Sequence, residues 1–249
     1  MRKNFIILHF FLCFVMTLKG QENIRKIGLT GSMVGQNLVD EYISINEYNG
    51  VSFAYGLKWE DRDCSRLTGI LFSFNKIADM ANGNTSAEVM DFTLSWWYVY
   101  NLVHLKLWER PFRFDIGPGG EIDVLTRQQR IAQKNMAASH ASVIAADFFA
   151  RLLYSLSRRF SVDSELAVAL LSVTSRPASK NTSEKKNNPF GFTHPFNMLH
   201  GRFSIGLDVV ITKSLYAQIG YSARIWGIFT VDDFRFLQDR LNLEIGYRF

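Results

Sequence analysis

The chain has 249 residues, of which 47% are hydrophobic, 14% aromatic and 20% charged, and its formal net charge is +5. Arg2, Lys3 and Lys19 stand in the first 20 residues with no acid beside them, so the positive balance does not point to nucleic acid. Beyond the apolar run at the N-terminus, no stretch reads as a membrane helix, which takes about 20 apolar residues.

The N-terminal run, Phe5–Met16, follows Arg2 and Lys3 and has the length of a signal-peptide core rather than of a membrane span. Small Gly20 places cleavage before Gln21. Cys13 is a poor lipidation site because Leu12 stands where a small residue is needed. The expected organisation is therefore a removed signal peptide, 1–20, followed by a single domain, 21–249. Removal takes three cations and no acid, so the formal charge falls from +5 to +2. Cys64 is then the only cysteine and forms no internal disulfide.

From there on the apolar residues come at every second position. Val51, Phe53, Tyr55, Leu57 and Trp59 alternate with Ser52, Ala54, Gly56, Lys58 and Glu60. Met90, Phe92, Leu94, Trp96 and Tyr98 alternate with Asp91, Thr93, Ser95 and a less tidy Trp97. The same holds for Phe112–Val124 and for Phe203–Ile211. A helix would scatter these sets around its circumference; a strand puts each on one face. The pattern predicts about ten strands, near 27–37, 50–60, 66–77, 87–100, 111–125, 141–157, 160–174, 200–212, 214–227 and 240–249, with eight or twelve as alternatives. Connections 61–65, 158–159 and 213 are short; 38–49, 78–86, 126–140, 175–199 and 228–239 are long. Segment 101–110 is too long for a tight turn unless its flanking strands extend into it.

The last segment, Asp239–Phe249, is the most regular. Leu241, Leu243, Ile245, Tyr247 and Phe249 alternate with Arg240, Asn242, Glu244, Gly246 and Arg248. With an aromatic residue at the terminus and another two before it, this strand resembles the assembly signal of bacterial outer-membrane β-barrels, carried by Tyr247 and Phe249. The resemblance implies an all-β fold, a transmembrane antiparallel up-and-down barrel in the bacterial outer membrane. Its implied partners are outer-membrane lipid, lipopolysaccharide and the barrel-assembly machinery. Short connections would face the periplasm and long ones the outside.

If the apolar face meets lipid, the other face lines the lumen. It carries Arg113, Asp115, Glu121, Asp123, Asp147, Arg151, Glu244 and Arg248, and the mixed signs predict ion pairs that plug a barrel of this width. The same acids around Gly117–Asp123 are the candidate constriction of a narrow channel, and the glycines and Pro118 of that stretch predict a kink or bulge. Two outer connections are basic: Arg127, Arg130 and Lys134 in one, Arg176, Lys180, Lys185 and Lys186 in the other. They are candidates for binding phosphates or another polyanion. Pro189–Phe196 is aromatic and proline-rich, suited to a lid or to a partner.

Known outer-membrane enzymes on small barrels, namely omptin proteases, lipid A palmitoyltransferases and lipid A deacylases, need a histidine within reach of a carboxylate or serine. Only His194, His200, Asp232 and Asp233 are candidates here, and no motif of the three classes matches. His200 and Ser204 share a strand face about 13 Å apart, too far to bond. No ligand set has the usual metal spacing, no glycine-rich phosphate loop opens a helix, and no metal or cofactor is expected. The leading expectation is a small outer-membrane protein whose loops bind or protect at the cell surface. A narrow channel comes second, and a lipid-modifying enzyme or protease third.

Overall fold

Ribbons with one apolar and one polar face satisfy their backbone groups by pairing edge to edge, and in lipid the edges must close on themselves. The computed structural model describes residues 24–40, 44–63, 65–82, 85–131, 134–175, 190–193, 198–228 and 234–249. Among them the strands are β1 (Ile24–Asp40), β2 (Ser44–Arg62), β3 (Arg66–Asn82), β4 (Thr85–Leu107), β5 (Arg110–Ile131), β6 (Lys134–Ser155), β7 (Phe160–Ser175), β8 (Phe190–Thr193), β9 (Met198–Val210), β10 (Leu215–Ile228) and β11 (Phe234–Arg248). Each long strand pairs antiparallel with its neighbours in the chain, and β11 pairs with β1, so ten strands close an up-and-down barrel. The short β8 pairs with the end of β7, Ser172–Ser175, and widens the wall at that point. The aromatic segment expected as a lid or partner site thus supplies an added strand over 190–193.

The closing seam runs the length of β11. Arg25 and Phe249 exchange two backbone hydrogen bonds at 3.0 Å each, so the terminal residue is tied into the barrel. Leu241, Leu243, Ile245, Tyr247 and Phe249 all point outward, 43–57% exposed. Gly246 faces inward, where a Cβ would stand 2.6 Å from the ring of Tyr216; the absence of a side chain there lets that ring lie flat on the strand. Leu29, Phe53, Tyr55, Phe72, Phe148, Leu166, Ile205 and Ile219 continue the exposed apolar belt around the wall. A belt of this kind on a closed barrel meets hydrocarbon, not water.

At one end the connections are tight. Asp63 caps the β2–β3 turn: its carboxylate accepts from the backbone N–H groups of Ser65 and Arg66, both at 2.7 Å, and from the Ser65 hydroxyl at 2.9 Å. Slight desolvation pushes the carboxyl up, but these donors and the Arg66 side chain outweigh it and hold it below its ordinary value. The segment around 101–110 is a hairpin whose strands run on to Leu107 and Arg110. Trp108 and Glu109, both at positive φ (47° and 66°), make the two-residue turn that matches strand twist.

The other end departs from the expected long loops. Strands β4, β5 and β6 have 23, 22 and 22 residues, about twice the 9–11 that a tilted strand needs to cross hydrocarbon. Most of 126–140 and parts of 38–49, 78–86 and 228–239 are strand. There apolar residues line the inside as well, while Leu199, Ile225 and Leu237 keep part of the outer face apolar beside them, 40–45% exposed. Leu38, Tyr48, Ile77, Met80, Trp226, Phe234 and Phe236 turn inward and are buried to within 2%, while outside Lys76 pairs with Glu88 at 2.7 Å and His140 is exposed. A wall that stands in water must hide its apolar residues inside. Outward apolar alternation marks only the part of each strand that faces lipid, which is why the expected strands are shorter than these. The GPGG stretch also differs from its expected bulge. The β5–β6 register runs unbroken from Phe112 to Gln129, and the shift on the β4 side falls at Asn101–Val103. Gly117 instead permits close approach: a Cβ there would lie 2.4 Å from the Tyr98 carbonyl oxygen.

Candidate functional site: the barrel interior

Inward positions recur every second residue, so each strand offers a short column of side chains to the lumen. Midway along the barrel these columns meet. From β5, Glu121 and Asp123 face β9, which supplies His200 and Arg202; β4 adds Asp91, Thr93 and Ser95, β10 adds Arg224, and β11 adds Gln238 and Arg240. His200 Nε2 lies 2.7 Å from Asp123 Oδ2 and 3.3 Å from Glu121 Oε1. Arg202 Nη1 donates to Glu121 Oε2 at 3.1 Å, beside the Ser95 hydroxyl, which donates to the same oxygen at 2.8 Å. Arg224 bridges Asp123 and Asp91, both at 2.6 Å, and also donates to the Thr93 hydroxyl. Arg240 reaches Asp91 at 3.4 Å and Ser73 at 3.0 Å. Directly above, the edge of Trp226 meets the His200 ring at 6.4 Å between centroids, and Phe236 lies 5.0 Å under the Arg224 guanidinium. The apolar outer interior therefore seats directly on this charged layer.

A second charged layer lies toward the short-turn end. Arg151 Nη1 donates to Glu60 at 2.9 Å and Nε to Asp163 at 2.8 Å, and Nη2 also bonds to Asp163. Lys58 sits between Glu60 at 3.2 Å and Glu165 at 3.5 Å. Around it, Lys26 pairs with Asp208 at 3.3 Å, Tyr216 donates to Glu244, and Arg113 pairs with Asp115 at 2.6 Å. Trp97 stacks on Phe149 at 5.4 Å in the same region, which explains its break in the outward apolar series: it is an interior residue, 1% exposed. Between the layers is a cavity of about 100 Å³ lined by Ser, Thr, Gln and Asn side chains with Lys58, Arg202, Arg224, Arg240, Glu165 and Glu244, room for several waters. Two ion-paired layers and one apolar layer thus stand across the lumen.

Of the residues singled out from sequence for the lumen, Asp115, Glu121, Asp123, Asp147, Arg151 and Glu244 are buried, and Arg113 and Arg248 are half-buried. Tyr247 and Phe249 are outward, with ring centroids 5.9 Å apart. Arg127 is not a surface cation. It is fully buried, with its guanidinium 4.3 Å from the ring centroid of Tyr48 inside the outer barrel, and is withdrawn from the polyanion set. Arg130 and Lys134 end β5 and begin β6, at the tip of that hairpin. Arg176, Lys180, Lys185, Lys186, His194, Asp232 and Asp233 lie outside the described residues. His200 is far from being a rim residue: it is 3% exposed beneath Trp226. Its contacts to Glu121 and Asp123 were missed because they join positions 77 or more apart in the chain. Arg202 was missed for a simpler reason. It shares its face with Ser204 and Gly206, and carrying the period two residues back would have put it in the lumen.

The sequence matches no protein-family model and no curated protein. Solved structures do resemble the fold. The outer membrane protease OmpT from Escherichia coli superposes with a TM-score of 0.54 at 8% identity, covering 94% of this chain and 99% of that one. The translocator domain of the autotransporter NalP from Neisseria meningitidis gives 0.45 at 9% identity, over 96% and 93%. Neisserial surface protein A gives 0.41 at 7%, over 90% and 97%. The likeness to OmpT is one of fold, that of an outer-membrane barrel, and assigns no activity.

Proposed function

We propose that this chain, a transmembrane β-barrel of the outer membrane, is a closed scaffold that works at its outer rim, where it binds polyanionic cell-surface material. The observation that carries the reading is the filled interior. Two ion-paired layers and an apolar layer in the lumen support a barrel that meets large partners at its outer surface. The topology supports a place for binding. Hairpin β5–β6 and the connection from β7 to β9 are neighbours around the wall, and the two carry Arg130, Lys134, Arg176, Lys180, Lys185 and Lys186. Strands β5 and β6 are also among the longest, so the hairpin that carries Arg130 and Lys134 is a tall one. Clustered cations attract phosphate groups and speed their capture, with a strength that falls as salt rises.

The test is binding of purified lipopolysaccharide to the protein in detergent micelles. Replacing the six basic residues by glutamine should weaken binding tenfold or more at low salt and leave the fold unchanged. Unaltered binding in that variant would remove the rim from the account.

A further inference from the structure

Glu121 and Asp123 are two residues apart on β5 and share its inward face, and His200 reaches them from β9. One ligand-type atom from each, Glu121 Oε1, Asp123 Oδ2 and His200 Nε2, lies within 4.8 Å of the others, and all three side chains are buried. The remaining carboxylate oxygens are engaged elsewhere: Oε2 of Glu121 by Arg202 and Ser95, Oδ1 of Asp123 by Arg224. The guanidiniums thus hold the far oxygens and leave the near ones aimed at the imidazole. Glu121 Oε1 is buried and accepts no hydrogen bond, and neither does Asp147 Oδ1. Asp147 stands on β6 opposite Gly119, two positions from Glu121, and is 6% exposed. Among the described residues no guanidinium pairs with it. The one ring nitrogen near Glu121 Oε1 is His200 Nε2 at 3.3 Å, and it is shared with Asp123 at 2.7 Å, so the buried oxygens of this cluster are served only in part.

We propose that Glu121, Asp123 and His200, with Asp147 beside them, form a site for one divalent cation of the kind that takes mixed imidazole and carboxylate ligands, Zn²⁺ being the probe of choice. In a tetrahedral zinc site with bonds of about 2.0–2.2 Å, ligand atoms lie about 3.4 Å apart. The Nε2 to Oε1 distance is already 3.3 Å, the Nε2 to Oδ2 distance of 2.7 Å must open by roughly 0.7 Å, and the two carboxylate oxygens, which set the 4.8 Å spread of the cluster, must draw together. A carboxylate oxygen only accepts, so the 2.7 Å contact places a proton on Nε2. With Nδ1, buried and without a hydrogen-bond partner, keeping a proton of its own, the cation takes the place of the Nε2 proton, which passes to water in the polar cavity next to Arg202 and Arg224, so the ring binds as neutral imidazole. Arg202 and Arg224 then orient the ligands from behind, as outer-shell groups do in metal sites. The cation would pin β5 to β9 across the barrel and lock the upper charged layer.

The experiment uses the untagged full chain, folded in micelles, stripped with EDTA and titrated with Zn²⁺ alone. One Zn²⁺ should bind per chain, and X-ray absorption should show a single imidazole nitrogen with oxygens at about 2.0–2.1 Å. Asp147→Asn should weaken binding at least tenfold and His200→Gln should abolish it. A variant with the other four histidines changed to glutamine should bind like the parent. Absence of stoichiometric binding, sulfur or a second imidazole in the shell, or undiminished affinity in either variant would overturn the site. The absorption spectrum of the unsubstituted protein decides the question even if His200→Gln does not fold.

Discussion

Arg151→Met is the sharpest probe of the lower ion-paired layer. The guanidinium is 1% exposed and contacts Glu60 and Asp163, themselves 4% and 2% exposed. Methionine keeps much of the apolar stem, so the packing change is small. At an effective dielectric near 20 each pair at about 4 Å is worth about 4 kcal/mol before desolvation. Glu60 retains Lys58 at 3.2 Å, which covers part of its loss, whereas the hydrogen bonds of Asp163 within this layer all come from Arg151. The expected net cost is about 4 kcal/mol, in the range for leaving a buried charge without its partner. Urea unfolding of the barrel in vesicles, followed by tryptophan fluorescence, measures it. Asp163→Asn added to Arg151→Met should recover at least 1 kcal/mol, because it removes the stranded charge. A loss under about 1 kcal/mol in Arg151→Met, with an unchanged urea slope, would refute the claim that this layer is a buried, paired stopper.

Three further outcomes follow from the same geometry. Trp226→Ala should cost about 3–5 kcal/mol, since the ring is fully buried between His200, Phe234 and Phe236; thermal unfolding in micelles reads it. Gly246→Ala should lower stability by about 1–3 kcal/mol through overpacking, because its Cβ would meet the Ile27 carbonyl oxygen at 2.4 Å; the yield of folded barrel in a refolding assay checks it. Asp63→Asn should be less stable than the parent at neutral pH. The folded carboxyl titrates below its ordinary value near 3.8, so its contribution is present above that pH and is lost as pH falls through the folded value. The stability difference between parent and Asp63→Asn should therefore shrink on acidification to pH 3, and a difference that stays constant would contradict the turn's role.

The strands and the terminal signal were legible because lipid imposes a simple rule, apolar out at period two, on Leu241–Phe249 and its equivalents. The rule fails where the wall leaves the bilayer. Leu38, Tyr48, Ile77 and Phe236 point inward among polar neighbours on the same face, Gln36, Asn75 and Gln238, so no clean apolar period announced them. Arg127 was misjudged for the same reason: a loop was expected where the chain is still strand, and its inward parity puts the cation under Tyr48. The pairing of the lumen was legible as composition, mixed signs on one face, but not as contacts. Which acid meets which base depends on shear and register, as with Arg240 and Asp91, 149 residues apart. The histidine–carboxylate cluster was hidden likewise, because metal-ligand spacing rules apply to neighbours in sequence and not to partners across a barrel.

A stoppered lumen passes neither ions nor small sugars. The direct test is ion conductance and small-sugar swelling with the purified protein inserted into liposomes, with insertion verified by protease protection and empty vesicles as the reference. With the interior paired as described, conductance and swelling should equal those of the empty vesicles, for the parent and also for Asp115→Asn and Glu121→Gln. Steady conductance in the parent that changes when those two acids are neutralised would contradict it and make the protein a channel.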